Sequence, residues 1–161
     1  MDEIIKRYQY KEGLYQYYIK SNFEIKKSIS PTVSAFANYT YLNGKETTQN
    51  RITNQDTITY EYLLRRPTHQ LNIGISAQVN TKLRVEISGR YASKRYDVGG
   101  YAAPDVELKN YLVLQANAQL TLNKNWRFFA DLQNFTNTKY YEVYGFKTMP
   151  LNASIGAVFN W

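Results

Sequence analysis

Apolar and polar side chains alternate with a period of two in seven stretches of the chain, and helical periodicity is almost absent. Over residues 15–27, Tyr15, Tyr17, Ile19, Phe23 and Ile25 stand against Gln16, Lys20, Asn22, Glu24 and Lys26. Over 32–41, Val33, Ala35, Ala37, Tyr39 and Tyr41 stand against Thr32, Ser34, Asn38 and Thr40. Residues 71–80 and 82–91 repeat the pattern with Leu71, Ile73, Ile75, Ala77, Val79 and then Leu83, Val85, Ile87, Gly89, Tyr91. So do 111–123 (Leu112, Leu114, Ala116, Ala118, Leu120, Leu122) and 125–135 (Trp126, Phe128, Ala130, Leu132). The last stretch, 151–161, carries Leu151, Ala153, Ile155, Ala157, Phe159 and Trp161 on one face, with Val158 the single intruder on the other. A period of two over these lengths predicts strands.

The connections alternate in length. Residues 28–31, 80–82 and 123–125 are short and carry Ser, Pro and Asn, the chemistry of tight reverse turns. Between them lie long loops at about 43–69, 92–110 and 136–150. Aromatics mark both ends. Tyr39, Tyr41, Tyr91, Tyr96, Tyr140, Tyr141 and Tyr144 fall at the long-loop ends of the strands, and Trp126 and Trp161 at the short-turn ends. Two aromatic girdles around an apolar band, with short turns on one side and long loops on the other, are what two bilayer interfaces select. The expected fold is all-β: an antiparallel up-and-down meander of about seven strands, part of a transmembrane outer-membrane β-barrel. A soluble barrel binding a lipophile would alternate as well, but it gives aromatics no reason to segregate to both ends.

Composition adds three constraints. With no cysteine in 161 residues, neither a disulfide framework nor a thiolate metal site is available. No run approaches the ~18 apolar residues of a spanning helix, which leaves a barrel untouched because its strands expose only every second residue to lipid. The formal charge of +7 is spread along the chain, often on the polar phase of strands, with no basic helix or tail, so the sequence does not read as a nucleic-acid binder. The first residues contain no apolar secretory segment, which an outer-membrane protein would need.

From about residue 13 onward the chain resembles the C-terminal part of the β-barrel of a TonB-dependent outer-membrane receptor. The stretches that carry the resemblance are Phe36-Ala-Asn-Tyr-Thr-Tyr-Leu42 before a long loop, Arg66-Pro-Thr-His69 entering the next strand, and Arg90-Tyr-Ala-Ser-Lys-Arg-Tyr-Asp97 leaving one. Asp131-Leu-Gln-Asn-Phe-Thr-Asn-Thr-Lys-Tyr-Tyr141 resembles a signature of the family, and the alternating aromatic terminus completes the order. The resemblance implies a large barrel with a plugged lumen, a plug domain, and a segment engaging a TonB-type energiser at the inner membrane. It also implies import of a scarce nutrient such as a siderophore, haem or a cobalamin-like compound. Seven strands are too few to close such a barrel. The chain 1–161 is therefore expected to be a piece of one, from a truncated or split reading frame, with 1–12 as extracellular loop and strand start and 13–161 as barrel strands. A self-contained small barrel with a structural or adhesive role is the alternative.

Little in the sequence suggests catalysis. His69 is the only histidine, so no multi-histidine metal site is possible, and it reads as a strand-entry residue after Pro67, which hardly supplies a histidine-based triad. The run Asp97-Val-Gly-Gly100 lacks phosphate-loop spacing and reads as loop chemistry. No enzyme, metal or cofactor is expected. Candidate ligand contacts are Arg65, Arg66, Arg90, Arg95, Tyr96 and Tyr101, because Arg and Tyr at loop ends and the upper lumen wall suit anionic, aromatic-bearing ligands. The plainer reading is that they solvate loop ends or meet lipopolysaccharide phosphates. Tyr39, Tyr41, Tyr91, Tyr140, Tyr141, Trp126 and Trp161 are the expected membrane girdle. By the same resemblance Phe159 and Trp161 are the signal read by the barrel-assembly machinery. The other expected partners are outer-membrane lipid and the rest of the receptor.

Overall fold

The computed structural model describes residues 3–11 and 14–161, with side chains from residue 16 onward. Its strands are β1 (Glu3–Lys11), β2 (Leu14–Ser30), β3 (Val33–Gln49), β4 (Thr57–Tyr60), β5 (His69–Gln78), β6 (Leu83–Ala92), β7 (Arg95–Asp97), β8 (Val106–Leu108), β9 (Tyr111–Thr121), β10 (Trp126–Gln133) and β11 (Asn152–Phe159). The main sheet runs β1-β2-β3-β5-β6-β9-β10-β11, antiparallel throughout, with β4 folded back on the upper end of β3. Strands β7 and β8 form a separate hairpin inside the loop between β6 and β9. There is no helix among the described residues.

The seven predicted strands correspond to β2, β3, β5, β6, β9, β10 and β11. One expectation is corrected. Residues 1–12 were read as loop and strand start, whereas Glu3–Lys11 pair with β2 from Ser21 to Leu14. This pairing lies at the long-loop end. There lipid does not dictate the alternation of side chains, and the backbone ladder alone defines the strand. For the same reason β3 continues beyond Tyr41 to Gln49.

Register carries the apolar phase across the whole sheet. Ile25 pairs with Ala37, Ala37 with Ile73, Ile73 with Gly89, and Gly89 with Leu114. Lower down, Leu83 pairs with Leu120, Leu120 with Phe128, and Phe128 with Ala157. Each row keeps one face apolar from strand to strand, and Phe23, Ile75, Ile87 and Leu132 on that face are exposed. The opposite face is a polar ladder, in which Ser34 and Ser76 hydroxyls lie 2.9 Å apart and Asn117 donates to Asp131 at 2.5 Å. Lys27 occupies the apolar phase opposite Ala35, next to the short turn, where a long side chain reaches headgroup level.

All three short turns use side-chain capture. Ser30 Oγ accepts from the Val33 N–H at 3.1 Å, Asn80 Oδ1 from the Lys82 and Leu83 N–H groups at 2.9 and 3.0 Å, and Asn123 Oδ1 from those of Asn125 and Trp126 at 3.0 and 2.9 Å. The turns fall at the three expected positions, two of them held by the expected asparagines and the first by Ser30 beside Pro31.

Phe36 and Phe129 stand on the polar phase, and each covers a glycine on the next strand. A Cβ at Gly74 would stand 2.3 Å from Cε1 of Phe36, and one at Gly156 would stand 2.2 Å from Cζ of Phe129. An aromatic laid over a cross-strand glycine restores the packing that the glycine omits. Ala normally outperforms Gly in a strand. Here Gly74→Ala is expected to lower stability by about 1 kcal/mol, because the ring must swing off its seat. In a Phe36→Leu background the same substitution should cost nothing. Urea unfolding of the four proteins of that cycle reads the coupling.

Candidate functional site

The buried residues gather at the long-loop end of the sheet. Leu42, Leu63, Ala92, Leu108 and Tyr111 are buried there with Ser93, Arg95, Asp97 and Asn134. The three long loops converge on this small core, and Asp97 holds them together. Its side chain is 0% exposed. Oδ1 accepts from Arg65 Nε at 2.6 Å and from the Val98 N–H at 2.8 Å, while Oδ2 accepts from the Tyr144 N–H at 2.7 Å. One carboxylate thus ties the loop before β5, the β7–β8 hairpin and the loop before β11. Arg65 takes a left-handed backbone (φ 58) to reach it, and its N–H donates to the Tyr96 carbonyl at 2.7 Å. Burial pushes the Asp97 carboxyl up. The Tyr144 N–H, the Arg65 guanidinium and the Val98 N–H outweigh burial and hold it below the ordinary carboxylate value.

A second cluster surrounds Arg51, which pairs with both Glu46 and Asp105 and lies over the Tyr60 ring at 3.9 Å. Tyr62 donates to Asp105 Oδ2 at 2.8 Å, and burial together with that carboxylate raises the Tyr62 phenol. Tyr62 stacks on Tyr96 with centroids 4.0 Å apart, and Tyr96 in turn donates to Glu107 at 3.3 Å. Tyr96 is therefore part of the loop scaffold.

Of the six expected ligand contacts, the structure brings three together. Arg65, Arg90 and Arg95 line a cavity of about 340 Å³ with Gln70, Tyr111 and Glu142. Arg90 is on the polar phase of β6, opposite Asn72 of β5, and donates to Glu142 at 2.7 Å. Tyr111 donates to the same Glu142 oxygen at 3.0 Å. Arg90 also borders a second cavity of about 380 Å³ on that face, shared with Asn72, Gln115, Asn134 and Tyr140. Arg66 is exposed and borders neither of these two cavities. Tyr101 is 94% exposed at the tip of the β7–β8 hairpin.

The girdle positions divide. Tyr39 and Tyr41 flank His69, with the Tyr39 hydroxyl 2.7 Å from His69 Nδ1 and the Tyr41 ring centroid 5.5 Å from that of His69. Tyr91 continues the apolar phase through its register with Leu71 and Leu112. At the short-turn end Trp126, Phe128, Phe159 and Trp161 are contiguous, Trp126 lying 5.8 Å from Phe128 and 4.8 Å from Phe159. Tyr140 lies elsewhere: its ring packs on Tyr111 at 4.3 Å on the polar face, against Arg90, so it does not share the girdle row. Loop residue Tyr141 offers its carbonyl to Arg95. A tyrosine near a strand end looks the same in sequence whichever way its loop turns.

Sequence reasoning missed Asp97, Glu142, Tyr111 and Asn134. Asn134 is 4% exposed, donates to the Thr138 and Met149 carbonyls at 3.0 and 3.1 Å, and accepts from the Thr138 N–H at 2.9 Å. Its position inside Asn134-Phe135-Thr136-Asn137 was the available signal, with Asn134 and Asn137 both left-handed (φ 49 and 52).

An up-and-down sheet with one apolar face, aromatic rows at both ends, short turns below and interlocked long loops above has the architecture of a wall of an outer-membrane β-barrel. No protein-family model and no curated protein sequence matches the chain. Solved structures do match it, among them TonB-dependent siderophore receptors. The ferric-catecholate import receptor Fiu of E. coli K12 matches with TM-score 0.73 and 16% identity over 91% of the chain. The ferripyoverdine receptor of the outer membrane of Pseudomonas aeruginosa matches with TM-score 0.70 and 15% identity over 91%. The siderophore receptor PiuA of Acinetobacter baumannii matches with TM-score 0.65 and 16% identity over 90%. The chain spans about one fifth of each of these proteins: 21%, 20% and 21%. Its fold is that of a barrel segment of TonB-dependent receptors.

Proposed function

We propose that this chain is the C-terminal barrel segment of a TonB-dependent receptor that sits in the bacterial outer membrane and imports a scarce iron-carrying or similar nutrient. The observation that carries this reading is the apolar face that runs from β2 to β11, interrupted by Lys27 beside a short turn and bounded by Tyr39 and Tyr41 above and Trp126, Phe159 and Trp161 below. Such a face is stable against lipid and unstable against water. The fold shared with siderophore receptors supports the transport role, and the lone histidine and absent cysteine support a role without catalysis. The polar ladder faces a plug and substrate, Arg65, Arg90 and Arg95 serve ligand at the upper wall, and a TonB-type protein supplies energy. Lipid and lipopolysaccharide cover the apolar face, and the assembly machinery reads Phe159 and Trp161.

The test expresses the chain with the remaining strands and plug of a receptor and follows uptake of a ferric siderophore by outer-membrane vesicles or cells. Uptake that depends on the chain, with heat-modifiable migration and protease resistance of the assembled barrel, is the expected result. Removing residues 159–161 should lower the folded yield several-fold while leaving synthesis unchanged. A water-soluble monomer with a cooperative melt in the absence of detergent would overturn the reading.

A further inference from the structure

We propose that the cavity bounded by Arg65, Arg90 and Arg95 is an oxyanion site, which takes a carboxylate or phosphate group presented from the lumen. The three guanidiniums are not equivalent. Arg65 is paired with Asp97, and Arg90 with Glu142. Among the described residues Arg95 makes no ion pair: one of its terminal nitrogens donates to the Tyr141 carbonyl, its guanidinium lies 5.1 Å from the centre of the Tyr111 ring, and Nη1 is buried with no hydrogen-bond partner. The residue is only 5% exposed. A buried cation with an unsatisfied donor is costly, and an anion removes that cost. Glu142 is the only acid on the cavity wall, so three cations stand against one carboxylate there, with Asp97 behind Arg65.

Register sets the side from which a ligand arrives. Thr40, Gln70, Ala92 and Tyr111 form one cross-strand row of the polar face, and Asn38, Asn72, Arg90 and Val113 the next. The cavity is lined by Gln70, Ala92 and Tyr111 of the first row and Arg90 of the second, and its volume of about 340 Å³ accommodates a substituted oxyanion rather than a single ion. This assignment deepens the transport reading and rests on it only for the direction of entry.

The test is calorimetric titration of the chain assembled with the remaining strands and plug of a receptor, in lipopolysaccharide-free detergent micelles, with citrate and with inorganic phosphate at fixed ionic strength. Saturable binding is expected. Arg95→Gln should weaken it about tenfold or more, the loss of a charge-assisted pair. Glu142→Gln should strengthen it by freeing Arg90, and Arg66→Gln should leave it unchanged. Absence of saturable binding, or equal weakening by Arg66→Gln, would overturn the site. If Arg95→Gln does not fold, an unchanged affinity in Glu142→Gln overturns it equally. Displacement of citrate by purified lipopolysaccharide would overturn the lumenal source in favour of a lipid phosphate, and lack of displacement supports it. Siderophore uptake without citrate or phosphate binding sinks this site alone. Binding without uptake sinks the transport reading alone.

Discussion

Asp97→Ala is expected to open the long-loop cap of the protein while leaving the sheet beneath it intact. The substitution strands two backbone N–H groups, those of Val98 and Tyr144, and removes the partner of Arg65 Nε. An unsatisfied buried donor costs about 1–3 kcal/mol. Arg65 adds little to the loss because its side chain is 52% exposed and rehydrates. The sum, about 2–6 kcal/mol of local stability, should appear as rapid proteolysis between β6 and β9 and between β10 and β11. The apolar face should remain protected in vesicles. The pH dependence follows from the direction of the Asp97 shift. Its folded pKa lies below the ordinary value, so its contribution is full above the unfolded carboxylate pKa of about 4 and is lost as pH falls through the depressed folded pKa. Pepsin digestion at progressively lower pH should therefore cut the loops of the wild type only in that acid window. Asp97→Asn should be cut without any such threshold, and a threshold surviving in Asp97→Asn would assign it to other groups.

The second large effect is expected at Asn134. Asn134→Ala removes an amide that fastens the loop before β11 at both of its ends, through Thr138 and Met149. Three buried hydrogen bonds are lost, and a left-handed residue that Asn tolerates becomes one that Ala resists. We expect a loss of about 2–4 kcal/mol in that loop. Asn134→Asp should be no milder, since it retains the acceptor for the Thr138 N–H but sets a carboxylate oxygen against two carbonyls. Trypsin cleavage at the exposed Lys139 and Lys147, together with hydrogen exchange at the Thr138 amide, separates the variants from the wild type. Unchanged exchange at Thr138 would show that the backbone of the loop holds itself.

The wall was legible in the sequence because lipid imposes a rule on each strand separately. Every second residue must be apolar, and Leu83 or Ile155 satisfies that rule without reference to a distant partner. The short turns were legible for a similar local reason, since Asn80 and Asn123 capture N–H groups two and three residues ahead. The cap was not legible. Asp97 finds Arg65 and Tyr144, and Arg90 finds Glu142, across separations of 32, 47 and 52 residues, and nothing near any of them in the chain announces the match. Arg65, Arg90 and Arg95 could be selected by residue type, but type alone could not separate them from Arg66, or Tyr96 in the scaffold from Tyr101 in solvent. Phe36 and Phe129 belong to the same category. They break the polar phase, and only the glycine on the neighbouring strand accounts for them.

The shared register of the strands also determines which changes in length the gene can accept. Within β5, β6, β9 or β10, losing or gaining one codon turns every side chain beyond that point to the opposite face, placing Arg90 or Asp131 in hydrocarbon and Ile87 or Leu132 in water. The same change near Tyr101, at the tip of the β7–β8 hairpin, meets neither constraint. Length variation in descendants of this chain should therefore concentrate at such loop tips, leaving the strands to evolve by substitution alone, and those tips are the natural places to graft a foreign peptide.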